Sequence, residues 1–550
     1  MRLPYRPRWP LLVALIAGIA LLTALTYLET DTPDETTASR GGAYVEGIAG
    51  EPSRINPLFA SLNQVDGDLA SLVFAGLVRL GPKGEVQPDL AEEPSVSPDG
   101  LTYSFHLRSN IFWHDGVPLT ADDVAFTVEA IQSPDFAGDP TLADVFEDVE
   151  VDAPNENTVV MTLPRPFAPF LAHATVGILP EHLLRGQDAA ALFASPFNQG
   201  PIGSGPFRLV ELTDDAAVFE PFDAYHMERP FLDRLTMRFY RDDATLLTGL
   251  LNDEVDGALF HASLDPDDLA LIDGDSGWVR QALHPTTYSL VYLNPSVAAL
   301  DDTRVRQALQ RGLDRETLVQ QALAGQALPI DSPIAMGLWA YEGSPDDYAY
   351  DPDLAAELLD EAGWRTGDNG REKDGDPLAF TLATSDDSAQ ARVAEEIARQ
   401  WRELGLQVAV QQSGASQFVE GVLISREFEA ALVSIDPGLD PDPYPFWHST
   451  QALGEGRNLT GFANAFADIW LENGRQEASV DARAEDYRNF QEVFALEQPA
   501  VLLTTPLYHY VVNEDVRQLT PELLIGLSSR FYNVQRWYVA GETSSAESDE

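Results

Sequence analysis

Apolar and polar residues alternate in several short stretches of the chain, which is the pattern of half-buried β-strands. Leu101–Leu107 places Tyr103 and Phe105 on one face together with the leucines at its two ends. Phe112–Gly116 is aromatic and runs into a tight turn at Asp115-Gly116, where packing and turn geometry are the expected roles. Further strands are predicted at Ala43–Ala49, Tyr288–Asn294 and Leu406–Gln411.

Other stretches carry apolar residues three and four positions apart, which predicts helices. Thr120 with Asp122 and Asp123 predicts a helix start, because hydroxyl and carboxylate oxygens accept from exposed N–H groups. Asp314 is the predicted N-cap of the second helix of a pair. The predicted helical stretches are Asp66–Leu80, Phe239–Gly257, Thr303–Leu323 and Ala394–Leu404. Helices interleaved with short strands predict α/β lobes.

The length and composition indicate a large globular protein. The chain has 550 residues, of which 44% are hydrophobic, so it can bury large cores and global disorder is excluded. A chain of this length exceeds one ordinary domain, so two or three lobes are expected.

The N-terminal segment predicts contact with a membrane. Residues 1–10 are basic, with three arginines, and Leu11–Leu28 carries no charge. Positive charge before an apolar stretch keeps the N-terminus inside and sends the remainder out. We expect an uncleaved anchor at the cytoplasmic membrane, because a small-x-small cleavage site is poor; a cleaved signal peptide is the alternative. No cysteine is present to accept a lipid. Residues 29–40 are predicted to form a flexible linker, and residues 538–550 are predicted to form an acidic tail.

The charge balance is strongly acidic. The sequence has 88 acidic and 34 basic residues, a formal net charge of −54. Such a surface repels nucleic acid. It is typical either of adaptation to salt or of a genome whose base composition favours Asp and Arg over Lys.

The chain shows no motif of a catalytic or metal site. None of the nine histidines stands in a metal-binding spacing, and no GxSxG marks a nucleophile. Pro201–Phe207 contains GSGP, but no helix with a Lys-Ser/Thr pair follows, so a phosphate loop is not expected. The glycines there indicate a tight turn before a strand. The sequence therefore offers no candidate for a catalytic residue, a metal site or a cofactor.

The order of these sequence segments along the chain resembles that of a known protein family. PDLAEEPSVSPDGLTYSFHLR followed by FWHDGVPLTADDVAFT closely resembles the signature of the bacterial extracellular solute-binding proteins of family 5, the peptide- and nickel-type receptors of ABC importers. Pro201–Phe207 is similar to the family's glycine motif, and Thr303–Leu323 and Tyr350–Trp364 resemble later family segments. The resemblance spans Ala43 to Arg536.

The resemblance implies a two-lobed α/β fold of the periplasmic-binding-protein type with three domains. Domain I is expected to be discontinuous, formed by residues 41–81, 200–285 and 500–537. Domain II is expected at 82–199 and domain III at 286–499. Crossing strands near Tyr288–Leu293 and Val501–Thr505 would form the hinge.

The resemblance also implies a ligand site at the end of a strand. Ala431–Gln451 runs from an apolar strand into a loop rich in Pro, Gly and Asp, where peptide-binding relatives carry an acid that pairs with the ligand's α-amino group. Asp436 is the candidate here; alternatively, the aspartates of this loop only cap its turns. The other candidate ligand contacts are Asn63, Asp66, Tyr288, Tyr444 and Trp447.

The expected function is that of a monomeric extracytoplasmic receptor that captures peptides between its lobes. It would deliver them to a membrane permease and its ATPase. The alternatives are a receptor for an oligosaccharide or a metal chelate, or a ligand-sensing ectodomain that is not coupled to import.

Overall fold

The computed structural model describes residues 40–541 except 262–263, 276, 345 and 520–521. The predicted anchor Leu11–Leu28, the linker up to residue 39 and most of the acidic tail lie outside the described residues. Among the residues described, no helix combines the length and the apolarity needed to cross a membrane.

Three sheets organise the described part of the chain. An eight-stranded mixed sheet has the spatial order Leu523–Leu524, Trp278–Pro285, Tyr508–Asn513, Gly257–Phe260, Ala43–Ala49, Arg234–Tyr240, Ala216–Pro221 and Phe207–Leu212. A six-stranded mixed sheet has the order Ala327–Pro329, Ala500–Pro506, Tyr288–Leu293, Ala430–Ile435, Ala379–Ser385 and Gln407–Ser413. An antiparallel sheet has the order Ser95–Val96, Thr102–His106, Thr158–Thr162 and Glu150–Asn155.

Three small sheets and the helices surround them. The small sheets comprise Val78–Leu80 with Val86–Pro88, Val516–Arg517 with Tyr538–Val539, and Arg365–Gly367, Gly370–Lys373 and Asp376–Pro377. The α-helices are Gln64–Val73, Ala121–Ile131, Pro140–Phe146, Phe170–His173, Glu181–Leu184, Ala189–Phe193, Asp243–Leu251, Pro266–Gly274, Thr303–Arg311, Arg315–Ala322, Pro352–Glu361, Ser388–Glu403, Ala415–Phe418, Tyr444–Trp447, Ala465–Gln476 and Val480–Glu497. Short 3-10 turns occur at Ala60–Leu62, Pro196–Gln199, Ser449–Ala452, Leu527–Phe531 and Val534–Arg536, and a π-helical turn at Val419–Ile424.

The chain passes twice between the two large sheets. Trp278–Pro285 lies in the eight-stranded sheet and the next strand, Tyr288–Leu293, lies in the six-stranded sheet. The return runs from Ala500–Pro506 to Tyr508–Asn513. We call residues 40–285 and 507–541 the first lobe and residues 288–506 the second lobe. The strand Ala500–Pro506 pairs with the second lobe, and the exact bounds of the three domains remain a prediction.

Local sequence signals set the starts of several helices as expected. Thr120 precedes the helix Ala121–Ile131, and its N–H donates to the carboxylate of Asp123 at 2.8 Å. Asp314 caps the helix Arg315–Ala322 by accepting from the N–H of Thr317 at 2.9 Å. These contacts satisfy N–H groups that have no partner within the helix.

The predicted helix Asp66–Leu80 is wrong in its bounds. The helix runs from Gln64 to Val73, and residues 78–80 form a strand. The helix ends where Phe74 adopts extended backbone angles, and the carbonyl of Val73, which has no partner within the helix, accepts from the N–H of Gly205 at 2.7 Å. A Cβ on Gly203 would lie 1.9 Å from the same oxygen. These glycines thus serve a close backbone approach rather than a turn that needs positive φ.

Candidate ligand-binding cleft

A cavity of about 270 Å³ lies where the first lobe faces the second. Its first-lobe wall includes Phe74, Arg79, Tyr225, Phe531, Tyr532 and Gln535. Leu439, in the loop that follows the strand Ala430–Ile435, contributes the second-lobe wall. The cavity therefore combines aromatic rings with a few polar groups, which is the usual make-up of a small-molecule site.

Arg79 is held in the wall by uncharged partners. Its guanidinium lies 4.7 Å from the centre of the Tyr532 ring, and one of its N–H groups donates to Gln87 Oε1 at 3.3 Å. The Tyr532 hydroxyl donates to the same amide oxygen at 3.1 Å. Ring and amide together fix the orientation of the cation beside the cavity.

An acid and a histidine pair lies next to Tyr225. The Nε2 of His226 is 2.7 Å from Oδ1 of Asp89, and both side chains are buried. Burial raises the pKa of Tyr225, and the charge of Asp89 adds to this effect. The phenol therefore stays neutral and can serve as a hydrogen-bonding group at the cavity.

A buried charge cluster supports the cavity from beneath. Arg530 donates to Glu46 at 2.9 Å and to Asp68 at 2.6 Å, and all three side chains are at most 1% exposed. Tyr44 donates to the carboxylate of Glu46 at 2.5 Å. Asp68 also accepts from the hydroxyl of Ser528, a cavity-lining residue, at 2.8 Å. The cluster thus ties the turn Leu527–Phe531 to the eight-stranded sheet.

Two arginines of the second lobe hold the loop that bears Leu439. Arg483 binds both carboxylate oxygens of Asp440, at 2.6 and 3.0 Å, in a buried pair. Arg475 lies 2.9 Å from Oδ2 of Asp442. Burial raises the pKa of Asp442 although the arginine opposes this shift. Sequence reasoning missed both arginines, because they come from helices more than 30 positions downstream.

Asp436 lies at the end of the strand Ala430–Ile435, as the sequence predicts. Its side chain is exposed, and Oδ1 accepts from the N–H of Gly438 at 3.0 Å and from the hydroxyl of Thr286 at 3.4 Å. One carboxylate oxygen therefore caps a turn, in agreement with the alternative that the aspartates of this loop cap its turns. In the described part of the chain Oδ2 makes no hydrogen bond, so it is free to meet a ligand.

Asn63 and Asp66 have structural partners at the start of the helix Gln64–Val73. Asn63 is the N-cap and accepts from the N–H of Val65 at 2.9 Å. Asp66 is 1% exposed and accepts from the N–H of Ser53 at 2.6 Å. Burial raises the pKa of Asp66. Neither residue lines the cavity. The Asn63 carboxamide and the Asp66 carboxylate form hydrogen bonds with backbone groups.

The aromatic candidates are mostly packed in the second-lobe core. Trp447 is 0% exposed, and its ring lies 5.8 Å from that of Tyr292. Tyr288 is 2% exposed and donates to the carbonyl of Pro333. Both were expected to contact ligand, but in this conformation their side chains face away from solvent. Tyr444 is half-buried and stacks on His448, with 4.1 Å between ring centroids.

The residues described contain no group of three or more side chains placed to hold a metal ion. The arrangement offers instead a small cavity with neutral hydrogen-bonding groups, one arginine and aromatic walls. Such a cavity can bind a solute. Its position between the two lobes is that of the site in a two-lobed binding protein.

Comparison with known proteins identifies the class. Residues 85–456 match the family described as bacterial extracellular solute-binding proteins, family 5 Middle. The chain is 29% identical over 527 residues to the oligopeptide-binding protein AppA of Bacillus subtilis, covering 91% of this chain and 92% of AppA. It is 27% identical over 493 residues to the dipeptide-binding protein of Escherichia coli, covering 85% and 89%.

Solved structures agree with this assignment. The structure of AppA in complex with a nonapeptide superposes with a TM-score of 0.64 at 26% identity, covering 91% of this chain and 99% of that one. NikZ from Campylobacter jejuni in complex with Ni(L-His) gives 0.66 at 28% identity, covering 90% and 99%. The chain belongs to family 5 of the bacterial extracellular solute-binding proteins. It is a substrate-binding protein of an ABC transporter and not an enzyme.

Proposed function

We propose that this protein captures short peptides in the cavity between its lobes and presents them to a membrane permease for import. The observation that carries the proposal is the position of the cavity at the interface of the lobes, with Leu439, from the loop that follows the strand Ala430–Ile435, on its second-lobe side. Ligand binding at such an interface stabilises the arrangement in which both walls touch the solute. The relatives whose names specify peptides support the choice of ligand.

Asp436 is the proposed partner of the peptide's α-amino group. Its unpaired Oδ2 is exposed at a strand end, where an ammonium can approach and lose its water on binding. Removing one partner of such a charge pair costs about 2–5 kcal/mol of binding free energy.

Calorimetric titration tests this proposal. A panel of di- to pentapeptides is titrated into the protein, and the best ligand is repeated in N-acetylated form. We expect Asp436→Asn and N-acetylation each to weaken binding, while Asp376→Asn, an exposed acid of the same lobe, has no effect. A panel in which no peptide binds refutes the peptide function. Equal affinity for the acetylated peptide refutes the role of Asp436 alone.

A metal chelate is the second candidate ligand. It is favoured by the similarity to NikZ, which was solved with Ni(L-His). A chelated metal brings its own ligands, so the binding protein needs only polar groups around it. The same titration with nickel and L-histidine discriminates this candidate from the peptide.

The N-terminal segment is proposed to keep the protein at the membrane on the extracytoplasmic side. Leu11–Leu28 carries no charge and follows three arginines. Fractionation of the full chain and of a form that begins at Gly41 tests this. We expect the full chain in the membrane fraction and the shortened form in solution. A mature N-terminus near Thr26–Thr30 would instead show signal cleavage.

A further inference from the structure

The cavity contains a positive charge that the composition of the chain does not lead one to expect. Acids outnumber bases by 88 to 34, yet Arg79 in the cavity wall has uncharged partners. Its contacts in the described part of the chain are the Gln87 amide and the Tyr532 ring. Its Nε–H is buried without a hydrogen-bond acceptor among the described residues. A buried donor without an acceptor is costly, so this guanidinium is poised for an acceptor that the protein does not supply.

The acid in the same wall does not neutralise Arg79. Asp89 is paired with His226 at 2.7 Å. Arg108 donates to the backbone carbonyl of Asp89 at 2.6 Å and adds a second positive charge nearby. This side of the cavity therefore attracts a negatively charged group, although the protein as a whole repels one.

Further groups suit the same kind of ligand. Gln535 lines the cavity, and its side-chain amide makes no hydrogen bond to another described residue. The Tyr532 ring holds the guanidinium plane in place, which lowers the entropy lost on binding a planar anion. The cavity, about 270 Å³ in size, is slightly smaller than the usual range for small-molecule sites, roughly 300–1,000 Å³, so it suits a small ligand.

We propose that the protein selects small ligands that carry a free carboxylate, and that Arg79 is the residue that recognises this group. The guanidinium presents paired N–H donors that match the two oxygens of a carboxylate. The inference rests on the proposed function, because it assigns the ligand to the same cavity. For a peptide, the recognised group is the terminal carboxylate of a di- or tripeptide.

The decisive comparison uses the parent protein with trialanine and with trialanine amide. We expect calorimetry to give at least tenfold tighter binding of the free acid. Arg79→Gln should weaken binding of the acid and abolish the difference between acid and amide. Arg79→Lys keeps the charge but loses the planar fork, so it should restore part of the preference. Arg234→Gln, an exposed arginine of the same lobe, should match the parent.

Each outcome has a defined meaning. Equal binding of acid and amide by the parent overturns the carboxylate assignment and leaves the peptide function intact, whatever the variants do. If neither peptide binds, the same comparison is made with the nickel complexes of L-histidine and histidinamide. If the parent then binds the L-histidine complex more tightly than the histidinamide complex, and Arg79→Gln removes this difference, the inference is supported although the peptide function is refuted. If no probe with a carboxylate binds, the inference is overturned. Melting temperatures of the variants separate loss of recognition from loss of folding.

Discussion

The backbone N–H of Ala168 donates a hydrogen bond of 2.8 Å to the carbonyl oxygen of Arg475. Ala168 belongs to the first lobe and Arg475 to the second, so this bond joins the lobes, and we call it the rim contact. The same arginine places its guanidinium 5.0 Å from the Phe167 ring and 4.2 Å from the Tyr444 ring. One residue therefore links the rim contact to the loop that borders the cavity.

Removing the ring at this contact should speed ligand release. Phe167→Ala eliminates a cation–π contact that contributes about 1 kcal/mol, equivalent to roughly a fivefold change in rate or affinity. We expect the association rate to change less than the dissociation rate, measured by surface plasmon resonance. Phe466→Ala, a phenylalanine that is 67% exposed, is the control. Unchanged dissociation from the Phe167 variant would show that the rim contact does not stabilise the bound state.

The buried cluster below the cavity should be sensitive to loss of its cation. Arg530→Met leaves Glu46 and Asp68 buried without their partner, and such a change costs about 3–5 kcal/mol of unfolding free energy. Urea unfolding followed by tryptophan fluorescence measures this. Arg208→Met breaks the exposed pair with Glu220 and should cost less than about 1 kcal/mol. Equal losses in the two variants would contradict the role assigned to burial.

Acid should destabilise the protein through His114. Its Nδ1 accepts from the N–H of Gly203 at 3.3 Å and its Nε2 lies 3.0 Å from the carbonyl of Gly205, an arrangement that suits the neutral ring. Burial lowers the pKa of His114 to about 4. An unfolded histidine titrates near 6.5, so below that pH the unfolded state binds the proton first and stability falls until the folded ring titrates.

The size of this effect is about 3 kcal/mol at most, from a shift of about two and a half pKa units. His114→Gln should lose less stability than the parent between about pH 7 and pH 4, as measured by urea unfolding. Part of the loss should remain, because burial also lowers the pKa of His509 to about 4. His106→Gln, at an exposed position, should follow the parent curve. An identical pH profile in the His114 variant would refute the assignment.

Salt should stabilise the protein. Its formal net charge is −54, and unbalanced carboxylates repel one another in the folded state. Raising salt from about 0.1 M to 1 M shortens the screening length from about 10 Å to 3 Å. We expect the melting temperature to rise across this range in differential scanning calorimetry. A flat or falling melting temperature would remove adaptation to salt as an explanation of the acidic surface.

The sequence by itself determined the family, the fold class and most local elements of this protein. These depend on short-range chemistry: the alternation at Leu101–Leu107 gives a strand, and the caps at Thr120 and Asp314 set where helices begin. Ordered motifs such as the glycines of Pro201–Phe207 identify the family because several local patterns must coincide.

Only the tertiary structure decided which candidate side chains remain available for a ligand. Asp66 and Trp447 satisfy the local patterns of site residues. In the fold, however, Asp66 accepts from the backbone of Ser53 and Trp447 packs against Tyr292, a core residue far away in sequence. Arg79 shows the opposite case. Nothing in its local sequence distinguishes it. It stands out because Tyr532, more than 450 positions away, holds it in the cavity wall, and no described carboxylate forms an ion pair with it. Local sequence patterns indicate where helices and strands begin. The partner of each polar group is set by packing between segments that are far apart in sequence.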